Sequence, residues 1–122
     1  AEQSIIDKTQ ALANESGAKL TITCDINAIG AQDVIYTDTW ISMGDEDASK
    51  KAEILAHFAP YQVNHDLMKT ADASVVMHCQ PAHLEEEITT ELFDSDMAVV
   101  FQQAENRMWA QNAVLVSLLN SI

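Results

Sequence analysis

Apolar residues first recur at helical spacing, where Ile5, Ile6, Leu12 and Ala13 align with Thr9 and are followed by Gly17. That period predicts a helix closed by glycine, the residue that most readily takes the left-handed turn after a helix. Leu20 to Thr23 then reads as a short strand with two β-branched threonines and an isoleucine. Val34 to Thr37, reached through a turn around Gly30, predicts a second strand. Ala52, Leu55, Ala56 and Ala59 mark the buried stripe of a second helix, ended by Pro60. A short helix near Asp66 to Ala71 leads into a strand at Ser74 to Met77. Ala98 to Phe101 predicts one more strand, ahead of a final helix from about Gln103 to Asn120.

Helices alternating with short apolar strands predict an α/β fold with a parallel sheet of about four strands, flanked by helices. The final helix is apolar nearly all round from Ala113 to Leu119. That is too apolar for one face of a small domain, and predicts that the helix packs against something more. In parallel sheets, chemistry gathers beyond the carboxyl ends of the strands. Three segments fall there: Asp38 to Gly44, His78 to His83 and Gln103 to Arg107.

Composition narrows the function classes. With 122 residues there is room for one domain, and 48% hydrophobic content is that of a folded protein. A net charge of −13, with five lysines and one arginine, excludes the basic footprint that nucleic acid or an anionic membrane surface needs. No apolar run approaches the roughly 20 residues of a membrane-spanning helix. The acidic start, Ala1-Glu2-Gln3, does not look like a signal peptide. It also lacks an initiator Met, which predicts that the chain begins inside a longer polypeptide. Cys24 and Cys79 lie far apart without a framework spacing, as reduced thiols in a cytosol-like compartment would.

Each strand-end segment has a chemical reading and a plainer one. Asp38, Ser42, Met43 and Gly44 could grip an amino-acid zwitterion, with Asp38 taking the ammonium; the same loop could simply cap a helix. His78, Cys79 and His83 suggest zinc, but their spacing matches no usual ligand pair. Cys79 could be a partly ionised thiol beside a substrate amine, or a small buried hydrophobe. Arg107, read as lying in the first turn of the last helix, predicts an anion bound there, or else a salt bridge to one of many carboxylates. Glu85-Glu86-Glu87 reads as a solvated acidic face, and His57 and His65 carry no assigned role.

In order and spacing, Asp38-Thr39-Trp40-Ile41-Ser42-Met43-Gly44, Tyr61-Gln62-Val63, His78-Cys79-Gln80-Pro81 and Ala104-Glu105-Asn106-Arg107 resemble the second domain of ornithine carbamoyltransferases. The resemblance runs from about Leu12 to Leu119 and implies an incomplete Rossmann-like domain. The serine-methionine-glycine loop looks like the ornithine-binding form. By this resemblance Asp38, Ser42 and Met43 would bind the amino-acid end of L-ornithine, and Cys79 would sit by its side chain, coupled to Asp38. Gln80, through its backbone, and Arg107 would contact the carbamoyl group of carbamoyl phosphate. Catalysis would fall to Cys79, Arg107 and Asp38, with no metal or organic cofactor. The family turn is histidine-cysteine-leucine-proline, so Gln80 in place of leucine puts the shape of the acceptor pocket in doubt.

The resemblance also implies a partner. A phosphate dianion calls for several arginines or a cradling loop, and this chain has one arginine and three glycines. Residues 1–122 are therefore expected to be part of the ornithine-binding domain, inactive alone, with the carbamoyl-phosphate-binding domain elsewhere in the parent chain. That parent is expected to be a homotrimer of the cytoplasm, or of the mitochondrial matrix in a eukaryote. The competing expectations are a transcarbamylase for putrescine or acetylornithine, and a non-catalytic amino-acid-binding module.

Overall fold

A computed structural model of the chain describes residues 2–41 and 48–120. Helix α1, Gln3–Ser16, ends as expected at Gly17, whose φ of 76° is the left-handed turn that glycine takes without steric cost. Strand β1, Val34–Thr37, lies where the sequence placed it, and β2, Val75–His78, is within one residue of its predicted span. The two pair in parallel, in the register Val34↔Val75 through Thr37↔His78. Between them run α2, Ala48–Phe58, and α3, His65–Thr70; after β2 come α4, Thr90–Phe93, and α5, Val100–Leu119. This is the α/β class with a parallel sheet, as predicted, but among the described residues two of the four predicted strands form.

The other two fail for different reasons. Leu20 to Thr23 stays irregular because no strand among the described residues shares its backbone hydrogen bonds. A groove of about 810 Å³, lined by Leu20, Thr21 and Thr23 and by Val34, Ile35 and Tyr36, separates it from β1. At Ala98 the chain makes one parallel bridge to Val76, through Val76 N–H to Met97 O at 2.8 Å and Val99 N–H to Val76 O at 3.1 Å, and turns helical at Val100. Four apolar residues do not distinguish a strand from the buried first turn of a helix. Here Val100 is fully buried while Phe101 is 69% exposed, the pattern of a helix entering the core edge-on.

The core sits on one side of β2. Val76 packs with Val63, Met68 of α3, Ala71, Ala73, Ile88 and Leu92 of α4, and half-buried Ile35, Phe93 and Met97 close round them. Burying a side chain such as Met68, Ile88 or Leu92 stabilises by about 1.5–3 kcal/mol, so this cluster fixes β2 and the turn after it. Asn64 caps α3 by accepting the Leu67 N–H at 2.9 Å. The N-terminal half is held far less tightly. Of the α2 side chains from Lys50 to Phe58 only Ile54 and Leu55 are half-buried, whereas Ala52, Ala56 and Ala59 of the predicted stripe are exposed. On α5, Val114, Leu115, Val116, Leu118 and Leu119 are all 57–71% exposed, so no described element covers that apolar surface.

Candidate functional site

Parallel register decides which residues meet. Thr37 and His78 are partners, so Asp38 and Cys79 leave the sheet side by side at its carboxyl edge. The Cys79 thiol donates to Asp38 Oδ1 at 2.7 Å, and the same oxygen accepts the Thr39 N–H at 2.7 Å. The Cys79 bond, then the Thr39 N–H, hold the Asp38 carboxyl below its ordinary value. Burial first, then the hydrogen bond to Asp38 and its charge, push the Cys79 thiol up. The expectation of a partly ionised thiol is thereby corrected: Cys79 is a protonated donor facing a carboxylate, since a second negative charge beside Asp38 is disfavoured.

The turn after Cys79 is built on His78. Its Nδ1 accepts the Gln80 N–H at 2.9 Å, and its Nε2 faces Glu87 Oε1 at 3.0 Å. Both His78 and Glu87 are without exposed surface. Gln80 has a φ of 59° and precedes a cis bond to Pro81. A non-glycine residue in the left-handed region costs on the order of 1 kcal/mol, which the hydrogen bond to His78 offsets. The Gln80 side-chain Nε2 is buried and has no hydrogen-bond partner among the described residues. Both ring nitrogens of His78 are engaged, and among the described residues His78, Cys79 and His83 do not form a cluster of metal-ligand atoms. His83 instead points Nδ1 at Thr39 Oγ1, 2.8 Å away, which ties this turn to the loop after β1.

The acidic run is not the solvated face the sequence suggested. Glu87 is buried, accepting the His83 N–H at 2.6 Å as well as facing His78. Glu86 pairs with Lys51 at 3.0 Å. Only Glu85 is exposed; the Thr90 side chain first, and then the Thr90 N–H that it accepts at 2.8 Å at the start of α4, lower its pKa. Three adjacent carboxylates look alike in a sequence, and no spacing rule marks the one that turns inward.

Arg107 also needs correcting. Because α5 begins at Val100, Arg107 lies about two turns into the helix, away from its N-terminal N–H groups. It reaches the site sideways: Nη1 donates to Cys79 O at 3.4 Å, a long bond, and it forms no ion pair with a carboxylate among the described residues. Gln103, one turn earlier, donates to the Tyr36 hydroxyl at 3.0 Å. The structure thus brings Asp38, Cys79, Gln80 and Arg107 to one edge of the sheet. Ser42 and Met43 lie outside the described residues. Cys24 and Cys79 are both free thiols. No helix among the described residues is long and apolar enough to cross a membrane.

Known proteins share this fold. Residues 1–118 match the family described as aspartate/ornithine carbamoyltransferase, Asp/Orn binding domain. An ornithine carbamoyltransferase of Shewanella oneidensis is 52% identical over 116 residues, which is 95% of this chain and 38% of that protein. Among solved structures, the anabolic ornithine carbamoyltransferase of Campylobacter jejuni superimposes with a TM-score of 0.85 at 30% identity, covering 99% of this chain and 40% of that one. The ornithine carbamoyltransferase of Pyrococcus furiosus gives 0.80 at 42% identity, covering 93% and 36%. This chain therefore spans well under half the length of the relatives it matches. By the family match over nearly all of its residues, and by an identity that rises to 52%, the chain belongs to the aspartate/ornithine carbamoyltransferase family.

Proposed function

We propose that this chain is the acceptor-binding part of an ornithine carbamoyltransferase, which moves the carbamoyl group from carbamoyl phosphate to the δ-amine of L-ornithine and yields citrulline and phosphate. The observation that carries this reading is the Asp38–Cys79 hydrogen bond at the strand ends, with Arg107 reaching the Cys79 carbonyl. Asp38 Oδ1 carries both the thiol and the Thr39 N–H, so among the described residues Oδ2 is the oxygen left for a cation. A carboxylate held this acidic is a weak base and a good anchor: it would hold the α-ammonium of ornithine and so align the neutral δ-amine, while the uncharged thiol lies along the side chain. Ser42 and Met43 would hold the α-amino-acid end. Arg107 and the Gln80 backbone would take the carbamoyl group, the guanidinium lying ready for the oxyanion that forms as the amine attacks.

Residues 1–122 would then form part of the ornithine-binding domain. The phosphate would be held by a carbamoyl-phosphate-binding domain of the parent chain, since the one arginine here cannot grip both a dianion and a carbonyl oxygen. The parent would act as a cytoplasmic homotrimer without metal or organic cofactor. The polypeptide that carries this chain is expected to carbamoylate ornithine far faster than putrescine or acetylornithine. A preference for either of the other amines overturns the acceptor assignment. Ornithine binding by calorimetry without turnover on any amine would make the chain a binding module instead.

A further inference from the structure

One buried carboxylate brackets the turn that carries Cys79. Glu87 Oε1 faces His78 Nε2 at 3.0 Å, at the start of the turn, and accepts the His83 N–H at 2.6 Å, at its end. His78 in turn receives the Gln80 N–H on Nδ1 at 2.9 Å. A backbone N–H can only donate, so Nδ1 is the acceptor of this ring and Nε2 carries its proton, directed at Glu87. The tautomer that Glu87 selects is thus the one that keeps Gln80 at a φ of 59°. Cys79 lies between these two anchored residues. Its thiol can reach Asp38, and its carbonyl can meet Arg107, only while both neighbours hold still.

Core stability alone does not call for a carboxylate here. A well-packed apolar side chain commonly serves a core as well as a buried ionisable pair does. What an apolar residue cannot do is choose between the two tautomers of an imidazole.

The geometry points to Glu87 as a positioning residue for carbamoyl transfer: through His78 and Gln80 it aims the Cys79 thiol at Asp38 and the Cys79 carbonyl at Arg107. The inference rests on the ornithine reading for the reaction it serves, but the hydrogen-bond chain from Glu87 to Asp38 stands without that reading.

Glu87→Gln keeps the shape and removes the carboxylate, and it tests the inference in the polypeptide that carries this chain. In the ligand-free protein, Cys79 alkylation by iodoacetamide at pH 8 is expected to quicken at least threefold, because a thiol released from Asp38 ionises more readily. Cys24 in the same molecule, exposed and with no side-chain hydrogen bond to the turn among the described residues, should keep its rate. In turnover, kcat for ornithine should fall about tenfold or more while its KM moves less, since a misplaced reacting group costs rate before affinity. Glu87→Asp, which restores the charge, should recover part of both. Should Glu87→Gln fail to fold, His78→Gln carries the same two expectations. A folded variant with an unchanged Cys79 rate, or with an unchanged kcat, overturns the inference whatever its melting temperature. A wild-type protein that carbamoylates no ornithine overturns the function, and the alkylation rates then decide the positioning by themselves.

Discussion

Asp38 and Cys79 give the site a pH signature of its own. Asp38 is held below its ordinary value, so the folded state gains stability above that value and loses it as pH falls through the lowered one. Cys79 is pushed above its ordinary value, so its contribution is complete below that value and is lost as pH climbs through the raised one. Melting temperature against pH should therefore be flat across the neutral range and fall on both flanks, with the acid limb small because Asp38 is exposed. Cys79→Ser, which keeps a donor for Asp38 but does not titrate there, should flatten the alkaline flank; a flank that persists would put the titrating group elsewhere. Asp38→Asn should lower kcat for ornithine on the order of a hundredfold, because the charge that aligns the amine is gone. At Gln80 the buried amide nitrogen has no partner among the described residues. Gln80→Leu should thus raise stability by about 1 kcal/mol in chemical denaturation; a loss would mean that the amide is satisfied in solution. Residue identity alone announced Asp38, Cys79 and Arg107 as candidates. It could not give the ionisation state of the thiol, which depends on a carboxylate 41 positions away.

At the scale of elements, local signals read well where they are local. Gly17 ends α1, and β1 spans the predicted Val34 to Thr37, because a glycine stop and a run of β-branched and aromatic residues each act over a few positions. The Asn64 cap of α3 is equally local, although the pattern that predicts a helix near Asp66 does not single it out. The Asn64 side chain satisfies the Leu67 N–H, so Asn64→Ala should cost about 1 kcal/mol of stability, measured by urea unfolding, with no change in ornithine KM. Signals that need a neighbour read poorly. Leu20 to Thr23 has the composition of a strand and no partner strand among the described residues, and Ala98 to Phe101 is apolar enough to be read either way. Arg107 was misplaced for the same reason: moving the start of α5 back to Val100 carries it from the first turn to the third.

For the molecule as a whole, the exposed apolar surface of α5 is the largest departure from what a free-standing domain tolerates. The chain alone should bind a hydrophobic dye and associate as concentration rises, and replacing Leu115 and Leu118 together by lysine should suppress both; a monomeric chain that ignores the dye would mean that the helix folds back on itself. The sequence signalled this surface through its uniform apolarity, yet could not say what it meets, because that lies outside the described contacts. The parallel pairing of β1 and β2 has a consequence in time. Antiparallel neighbours can close through a tight turn, but Thr37 and His78 become partners only when the chain between them, which holds α2 and α3, has crossed back. Closing so long a loop is slow, and the hydrogen bond between Asp38 and Cys79 cannot precede it. Protection of Cys79 in a pulse-alkylation refolding experiment is therefore expected to lag helix formation and to coincide with the closing of the sheet, so that the same thiol serves as a clock for the slowest step of folding.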